Sequence, residues 1–215
     1  MHTLLPRKKS QNLESLPVRY DRSTAKRKDC SESMIYYLLH LMLFCPFICL
    51  AGEIHSDWRQ VIAAGIAEKN LPVSLSSPNT CHEDSDDCGA IILGMEEKRS
   101  NWDKIGASMN SVRTKTLIQD ADIVVVRFGE KYRQWNAAFD AGYAAALGKS
   151  IITLHPPSIG HMLKEVNSAA QVVCEDATHV VDSLAYVIEG ILPPPRNGDK
   201  FVPIADRLGA GNPNP

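Results

Sequence analysis

Six carboxylates stand where the chain turns or enters a helix: Glu53, Asp57, Asp86, Asp122, Glu130 and Asp140. Such a set suits cleavage at the anomeric carbon of a sugar. The transition state there is a developing oxocarbenium cation, which a carboxylate can stabilise or attack. Asp140 is the best placed. It lies in KYRQWNAAFDAGYAAALGK (Lys131–Lys149), where a polar, aromatic stretch becomes an alanine-rich helix. With Asn136 as the cap, Asp140 falls in about the first turn. The helix dipole there favours the ionised carboxylate, hence a nucleophile or stabiliser over a proton donor. The plainer reading of the same spacing is an acid that complements the dipole or pairs with Arg133.

Other chemistries find less support. No GxGxxG follows the first strand, and no GxxxxGK[ST] occurs, which argues against dinucleotide oxidoreductases and P-loop NTPases. No GxSxG elbow marks a hydrolase serine. The run Cys81-His82-Glu83-Asp84-Ser85-Asp86-Asp87-Cys88 is too tightly spaced for common zinc sites and has no second half. It reads as a solvated acidic loop, with His82 or Asp86 as alternative substrate contacts. No metal or organic cofactor is implied.

The elements that must position these residues follow from apolar patterning. Phe47–Ala51 is strand-like, and Trp58, Val61, Ile62, Gly65 and Ile66 share a helical face that ends at Asn70. Leu71–Ser76 reads as a second strand, followed by a long polar loop from Ser76 to Asp103. Lys104–Gln119 carries helical spacing through Ile105, Met109, Val112 and Leu117. Asp122–Phe128 is a continuous apolar strand, as expected when helices cover both faces. A helix over Asn136–Leu147 stops at Gly148. Ser150–Leu154 and Gln171–Cys174 read as strands, His161–Ala169 and Thr178–Glu189 as helices; the last faces inward through Val180, Val181, Leu184, Val187 and Ile188. Strands alternating with helices predict an α/β fold with a parallel five-stranded sheet in a three-layer sandwich. Ligands in such folds bind outside the carboxyl ends of the strands. The polar segments Gly52–Trp58, Ser77–Asp87 and Gly129–Asn136 follow the first three strands and form the candidate crevice.

The 215-residue chain divides into a basic leader with an apolar segment (1–46), an α/β domain (47–190) and a Pro/Gly/Asn-rich tail (191–215). Residues 1–33 carry eight Lys/Arg against four Asp/Glu, whereas the remainder carries 15 against 21. An acidic body argues against nucleic acid as partner and favours a small polar ligand. The apolar run Met34–Gly52 after a basic segment has the look of a membrane anchor. If Phe47–Ala51 is a core strand, residues 34–46 are too short at about 1.5 Å each to cross roughly 30 Å of hydrocarbon. The soluble reading implies a cytoplasmic protein. The competing one implies organelle targeting or a membrane anchor through residues 34–50. The six cysteines lack regular spacing and read as reduced thiols.

The run ADIVVVRFGEKYRQWNAAFDAGYAAALGK, with LAGEIHSDWR upstream and HEDSDDCGAIILG between, closely resembles YtoQ-type proteins, which are grouped with the nucleoside 2-deoxyribosyltransferases. The resemblance covers residues 47–189. It implies a flavodoxin-like or Rossmann-like fold, a nucleoside or nucleotide ligand, N-glycosidic cleavage or transfer, and a homo-oligomer. The transferases keep a glutamate nucleophile followed two residues on by glycine. Asp140-Ala141-Gly142 matches that place, so Asp140 takes the nucleophile's position with a side chain one methylene shorter. Gln134 stands where those enzymes have an acid, and Asn136-Ala137 where they have Gly-Thr. Glu53 or Asp122 would assist with the base proton or the sugar hydroxyls. Trp58, Tyr132 and Trp135 would stack on the base, Trp58 being equally a core candidate. His55, Arg59 and Arg113 are candidates for polar or phosphate contacts. Gly52, Asp57, Gly129, Glu130, Gln134 and Asn136 complete the expected contact set. The alternative on the same fold is a non-catalytic nucleoside-binding or regulatory module.

Overall fold

The computed structural model describes residues 45–131, 134–196 and 202. The basic leader, most of the apolar segment before Cys45, Tyr132, Arg133 and nearly all of the tail lie outside the described residues. Five strands form one sheet: β1 (Phe47–Gly52), β2 (Ser74–Ser76), β3 (Ile123–Arg127), β4 (Ser150–Leu154) and β5 (Val172–Cys174). All pairings are parallel, in the order β2-β1-β3-β4-β5. This is the flavodoxin-like order of a doubly wound sheet. The helices are α1 (Trp58–Glu68), α2 (His82–Leu93), α3 (Arg99–Asp120), α4 (Trp135–Ala146), α5 (Lys164–Ser168) and α6 (Ala177–Glu189), with a 3-10 segment at Pro157–Leu163 before α5.

Alternation along the strands divides the core in two, because successive side chains leave opposite faces of a sheet. Ile48, Leu50, Ile123, Val125, Ile152 and Leu154 pack with Trp58 and Ile62 of α1 and with Val180, Val181 and Leu184 of α6. Cys49, Ala51, Val124, Val126 and Ile151 pack with Ile118 of α3 and the alanines of α4. Ala137, Ala141 and Ala144 are the buried residues of α4, spaced to share one face that lies close on the sheet. Val187, expected to face inward, is 59% exposed.

The stretch expected to be a polar loop contains a helix. HEDSDDCGAIIL is α2, and α3 starts at Arg99 instead of Lys104. The two cross at glycines. A Cβ on Gly89 would stand 2.8 Å from the Gly106 nitrogen, and one on Gly106 would stand 2.9 Å from the Asp86 carbonyl oxygen. Backbone contact of this kind stabilises a hairpin whose side chains are mostly polar, so apolar periodicity does not reveal it. Of the four residues that carry the helical spacing on α3, Leu117 packs against the core while Val112 is 69% exposed; Gly106 and Ile118 are the buried residues of the helix.

Asp176 caps α6, its carboxylate accepting from the Thr178 backbone N–H at 2.7 Å. Hydrogen bonds from the Thr178 side chain and, second, from its backbone N–H hold the carboxyl below the usual carboxylate range. Asp176→Ala is expected to cost about 1 kcal/mol in urea unfolding at neutral pH. A folded-state pKa below the unfolded one means the contribution fades as pH falls below about 4. Among the described residues, no helix is long and apolar enough to cross a membrane.

Candidate active site

A cleft of about 660 Å³ opens beside the carboxyl ends of β1 and β3. This is the switch point of the sheet: β1 leads to α1 on one face, β3 to α4 on the other. Gly52 ends β1 at φ +98°, and a Cβ there would lie 2.3 Å from the Arg127 carbonyl oxygen. Only glycine lets β1 and β3 approach this closely at that turn. The walls are the loop after β1, the α2–α3 hairpin and the first turns of α4.

Asp140 lines the cleft from α4. The helix starts at Trp135 with Gln134 at the cap, so Asn136 is its second residue and Asp140 lies beyond the first turn. The dipole's influence has faded there. Burial dominates instead and pushes the Asp140 carboxyl up to about 6, against the expectation that the ionised form is favoured. Among the described residues, no hydrogen bond or ion pair reaches this carboxylate. The Cys49 thiol on β1 is pushed up to about 11 by burial, with the Asp140 charge adding to the shift. Asp140 can therefore be charged or protonated within the physiological range.

Glu53 is also in the cleft wall, but both carboxylate oxygens are engaged. One accepts from the His55 backbone N–H, the other from the Ser56 hydroxyl at 2.6 Å. The Glu53 side chain packs on Gly129, where a Cβ would come within 2.8 Å of Glu53 Cγ. Its backbone carbonyl accepts from Trp58 Nε1 at 2.8 Å and from Arg59 Nη1 at 2.6 Å. Arg59 also donates from Nε to the Leu50 carbonyl and from Nη2 to the Gly52 carbonyl, each at 3.0 Å. These bonds turn Arg59 and Trp58 inward. Arg59 is buried with its guanidinium 4.4 Å from the Trp58 ring centroid, and burial lowers its pKa to about 10 against the pull of Glu53. The expected phosphate contact from Arg59 and base stacking by Trp58 are thus corrected: both residues hold the end of β1.

Other candidates lie elsewhere. Asp122 precedes β3 at the amino edge of the sheet, opposite the cleft, and its Oδ2 accepts from the Phe47 N–H at 2.8 Å. Its carboxylate ties β1 to β3, so a role on a base or sugar is excluded by position. Asp57 is exposed at the start of α1, outside the cleft lining. Glu130 accepts from the Ser158 hydroxyl at 2.9 Å, and Arg113 donates to the Ser77 carbonyl at 3.2 Å; neither lines the cleft.

Gly52, His55, His82, Asp86, Gln134, Trp135 and Asn136 do line it. The His55 and His82 rings stand 6.0 Å apart, and His82 Nδ1 is 3.5 Å from Asp86 Oδ2. Gln134 donates to the Lys131 carbonyl at 2.6 Å. Two sets of lining residues went unnoticed in the sequence. On α4, Phe139 and Tyr143 continue from Trp135 at four-residue steps, making an aromatic band beside Asp140. On α3, Asp103, Gly106, Asn110, Ser111, Thr114 and Lys115 recur at helical spacing along the cleft. Asn110 fixes the hairpin, donating to the Ser85 carbonyl at 2.7 Å. The signal was available as a helical stripe of small and polar residues.

A family model described as nucleoside 2-deoxyribosyltransferase YtoQ matches residues 49–188. The YtoQ protein of Bacillus subtilis (strain 168) is 39% identical over 142 residues, which span 66% of this chain and 96% of that one. More distant similarity extends to solved structures, among them these two. One is of a 2-deoxyribosyltransferase from Bacillus psychrosaccharolyticus, at 20% identity and TM-score 0.41, covering 63% of this chain and 90% of that one. The other is a Clostridium botulinum CMP N-glycosidase, at 13% identity and TM-score 0.40, covering 66% and 98%.

Proposed function

The chain belongs to the nucleoside 2-deoxyribosyltransferase YtoQ family, and from that premise we propose that it cleaves the N-glycosidic bond of a nucleoside or nucleotide bound in the cleft. The observation that carries this reading is Asp140, a half-buried carboxyl with no hydrogen bond or ion pair among the described residues, facing a cleft at the sheet's switch point. A partly desolvated carboxylate left unpaired costs stability, and such groups cluster at functional sites. In the proposed reaction the Asp140 carboxylate attacks C1′ of the sugar. The C1′–N bond breaks, and its electron pair leaves with the base nitrogen, which takes a proton from water in the open cleft. The resulting glycosyl ester is then attacked at C1′ by water, giving the free sugar, or by a second base, giving a new nucleoside, and the attacking group's proton goes to the hydroxide left by the first step. Either attack returns the carboxylate.

In this reading Glu53 is a positioning residue. Its carboxylate organises the loop that carries His55, while Arg59 fixes the strand end beneath. The aromatic band of Trp135 and Phe139 supplies a stacking surface for the base.

The test is a panel of nucleosides and nucleoside 5′-monophosphates, each incubated with and without a free second base. Chromatography should show base release or exchange with at least one of them. Ligand binding without turnover across the panel would establish a binding module instead and overturn the enzyme reading.

A further inference from the structure

We infer that His82, oriented by Asp86, is the general acid that hands a proton to the base as it leaves. The inference rests on the reading of the cleft as an N-glycoside site and names the proton donor for which that reaction otherwise draws on water.

A base nitrogen that departs with the electron pair of the C1′–N bond leaves as an anion unless a proton arrives with it. A positioned acid speeds such a departure by roughly 10²–10⁴-fold. Few lining groups can serve. Both Glu53 carboxylate oxygens already accept bonds from their own loop. Asp140 must be charged to attack. Histidine is the side chain that both holds and yields a proton near neutral pH. His55 and His82 are the two histidines among the described lining residues.

His82 opens α2, yet its ring stands 6.0 Å from that of His55, on the loop after β1. The imidazole therefore reaches from the hairpin to the loop at the carboxyl end of β1. Asp140 approaches the same strand from α4, where its charge acts on the Cys49 thiol. Acid and nucleophile thus converge on β1 from different walls of one cleft. Asp86 Oδ2 lies 3.5 Å from His82 Nδ1, one turn along the same helix. A carboxylate at one ring nitrogen keeps a proton there and leaves the other nitrogen to work. Nε2 has no partner among the described residues. The other charged or titratable groups about the ring are Glu83 beside it on α2, His55 on the facing loop and Asp103 of α3 in the cleft lining.

The protons balance over the two steps. His82 starts with a proton on each ring nitrogen. As the Asp140 carboxylate bonds to C1′, the C1′–N electron pair goes to the base, and the Nε2 proton follows it. The imidazole is left neutral, with its remaining proton on Nδ1 facing Asp86. Water or a second base then attacks C1′, and its proton returns to Nε2 as the Asp140 carboxylate departs.

The experiment compares a substrate that the panel shows to be cleaved with analogues whose bases carry fluorine or nitro groups and leave readily as anions. The His82 side chain is 60% exposed, so His82→Gln keeps the fold; circular dichroism checks this. The variant should lower kcat for the parent substrate by about 100-fold and for the nitro analogue by less than about threefold, with KM little changed for either. Asp86→Asn should show the same selectivity with a smaller loss. An equal loss on parent and analogue, no loss on the parent, or the selective pattern in His55→Gln instead overturns the role. A wild type that cleaves nothing on the panel removes the enzyme reading and this role together. An active wild type with an unselective loss in His82→Gln removes the role alone.

Discussion

Asp140→Asn is expected to lower base release by at least about a thousandfold while making the protein more stable at neutral pH. The two effects have one cause. Burial raises the Asp140 carboxyl to about 6 with no compensating partner among the described residues. The folded state therefore holds this proton more tightly than the unfolded state, whose carboxyl titrates near 3.9. Between about pH 4 and pH 6 the folded chain binds more protons, so stability from this group falls as pH rises and stays low above it. Two pKa units correspond to roughly 3 kcal/mol, and residual solvent contact brings the expected gain on replacing the charge to between about 1 and 3 kcal/mol. Asparagine is nearly isosteric and never ionises. Urea unfolding should show the variant more stable than wild type at pH 7.5 and equal to it at pH 4. A variant that keeps its turnover would remove Asp140 from the reaction. One that is less stable at pH 7.5 would mean the carboxylate is paired. Gain of stability with loss of turnover is the pattern of a group kept for chemistry at a structural cost. Asp140→Glu restores the side-chain length of the resembled transferases. Turnover above wild type would show that aspartate limits reach to C1′, and lower turnover would show a cleft fitted to the shorter acid.

Much of this arrangement is legible in the sequence, and where legibility stops has a physical reason. Strands covered on both faces are continuous apolar runs, so β1, β3 and β4 stand out, and their alternation with helices fixes the parallel sheet. Asp140 was found because an acid in an alanine-rich helix is conspicuous. The hairpin was not, because α2 and α3 meet through Gly89 and Gly106 and leave no apolar stripe to count. Asp122 and Glu53 show a different limit. Both carboxylates flank a strand, but only the one after a strand reaches a site at the carboxyl edge. The parallel topology alone already put Asp122 at the wrong end. Arg59 is the hardest case. An arginine after Asp-Trp at a helix start reads as solvated, and only the free carbonyls at the end of β1 explain why it is buried.

Those carbonyls make Arg59→Met the most damaging substitution expected in the fold. Nε, Nη1 and Nη2 each donate to a different carbonyl, those of Leu50, Glu53 and Gly52, at 3.0, 2.6 and 3.0 Å. On the side away from β3 the strand has no neighbour there, because the pairing of β1 with β2 ends at Cys49 and Ser76. Methionine fills much of the space over Trp58 but supplies no donor, so the Leu50 and Gly52 carbonyls lose this partner and that of Glu53 keeps only Trp58 Nε1. Leaving buried polar groups unpaired costs about 1–3 kcal/mol each. Losses at neighbouring sites are not additive, and water can enter part of the way, so about 3–5 kcal/mol is expected in urea unfolding. Arg59→Lys separates charge from geometry. A lysine ammonium is a compact point donor on a flexible stem, whereas the arginine fork spans successive carbonyls in one plane. The lysine variant should recover less than half of the loss. Its kcat/KM should also stay below wild type, because Glu53, and through it the loop bearing His55, hangs from the same bond. Full recovery of both stability and turnover by lysine would mean that a buried positive charge is enough to hold the end of β1. The three-pronged fit would then be incidental to the cleft it borders.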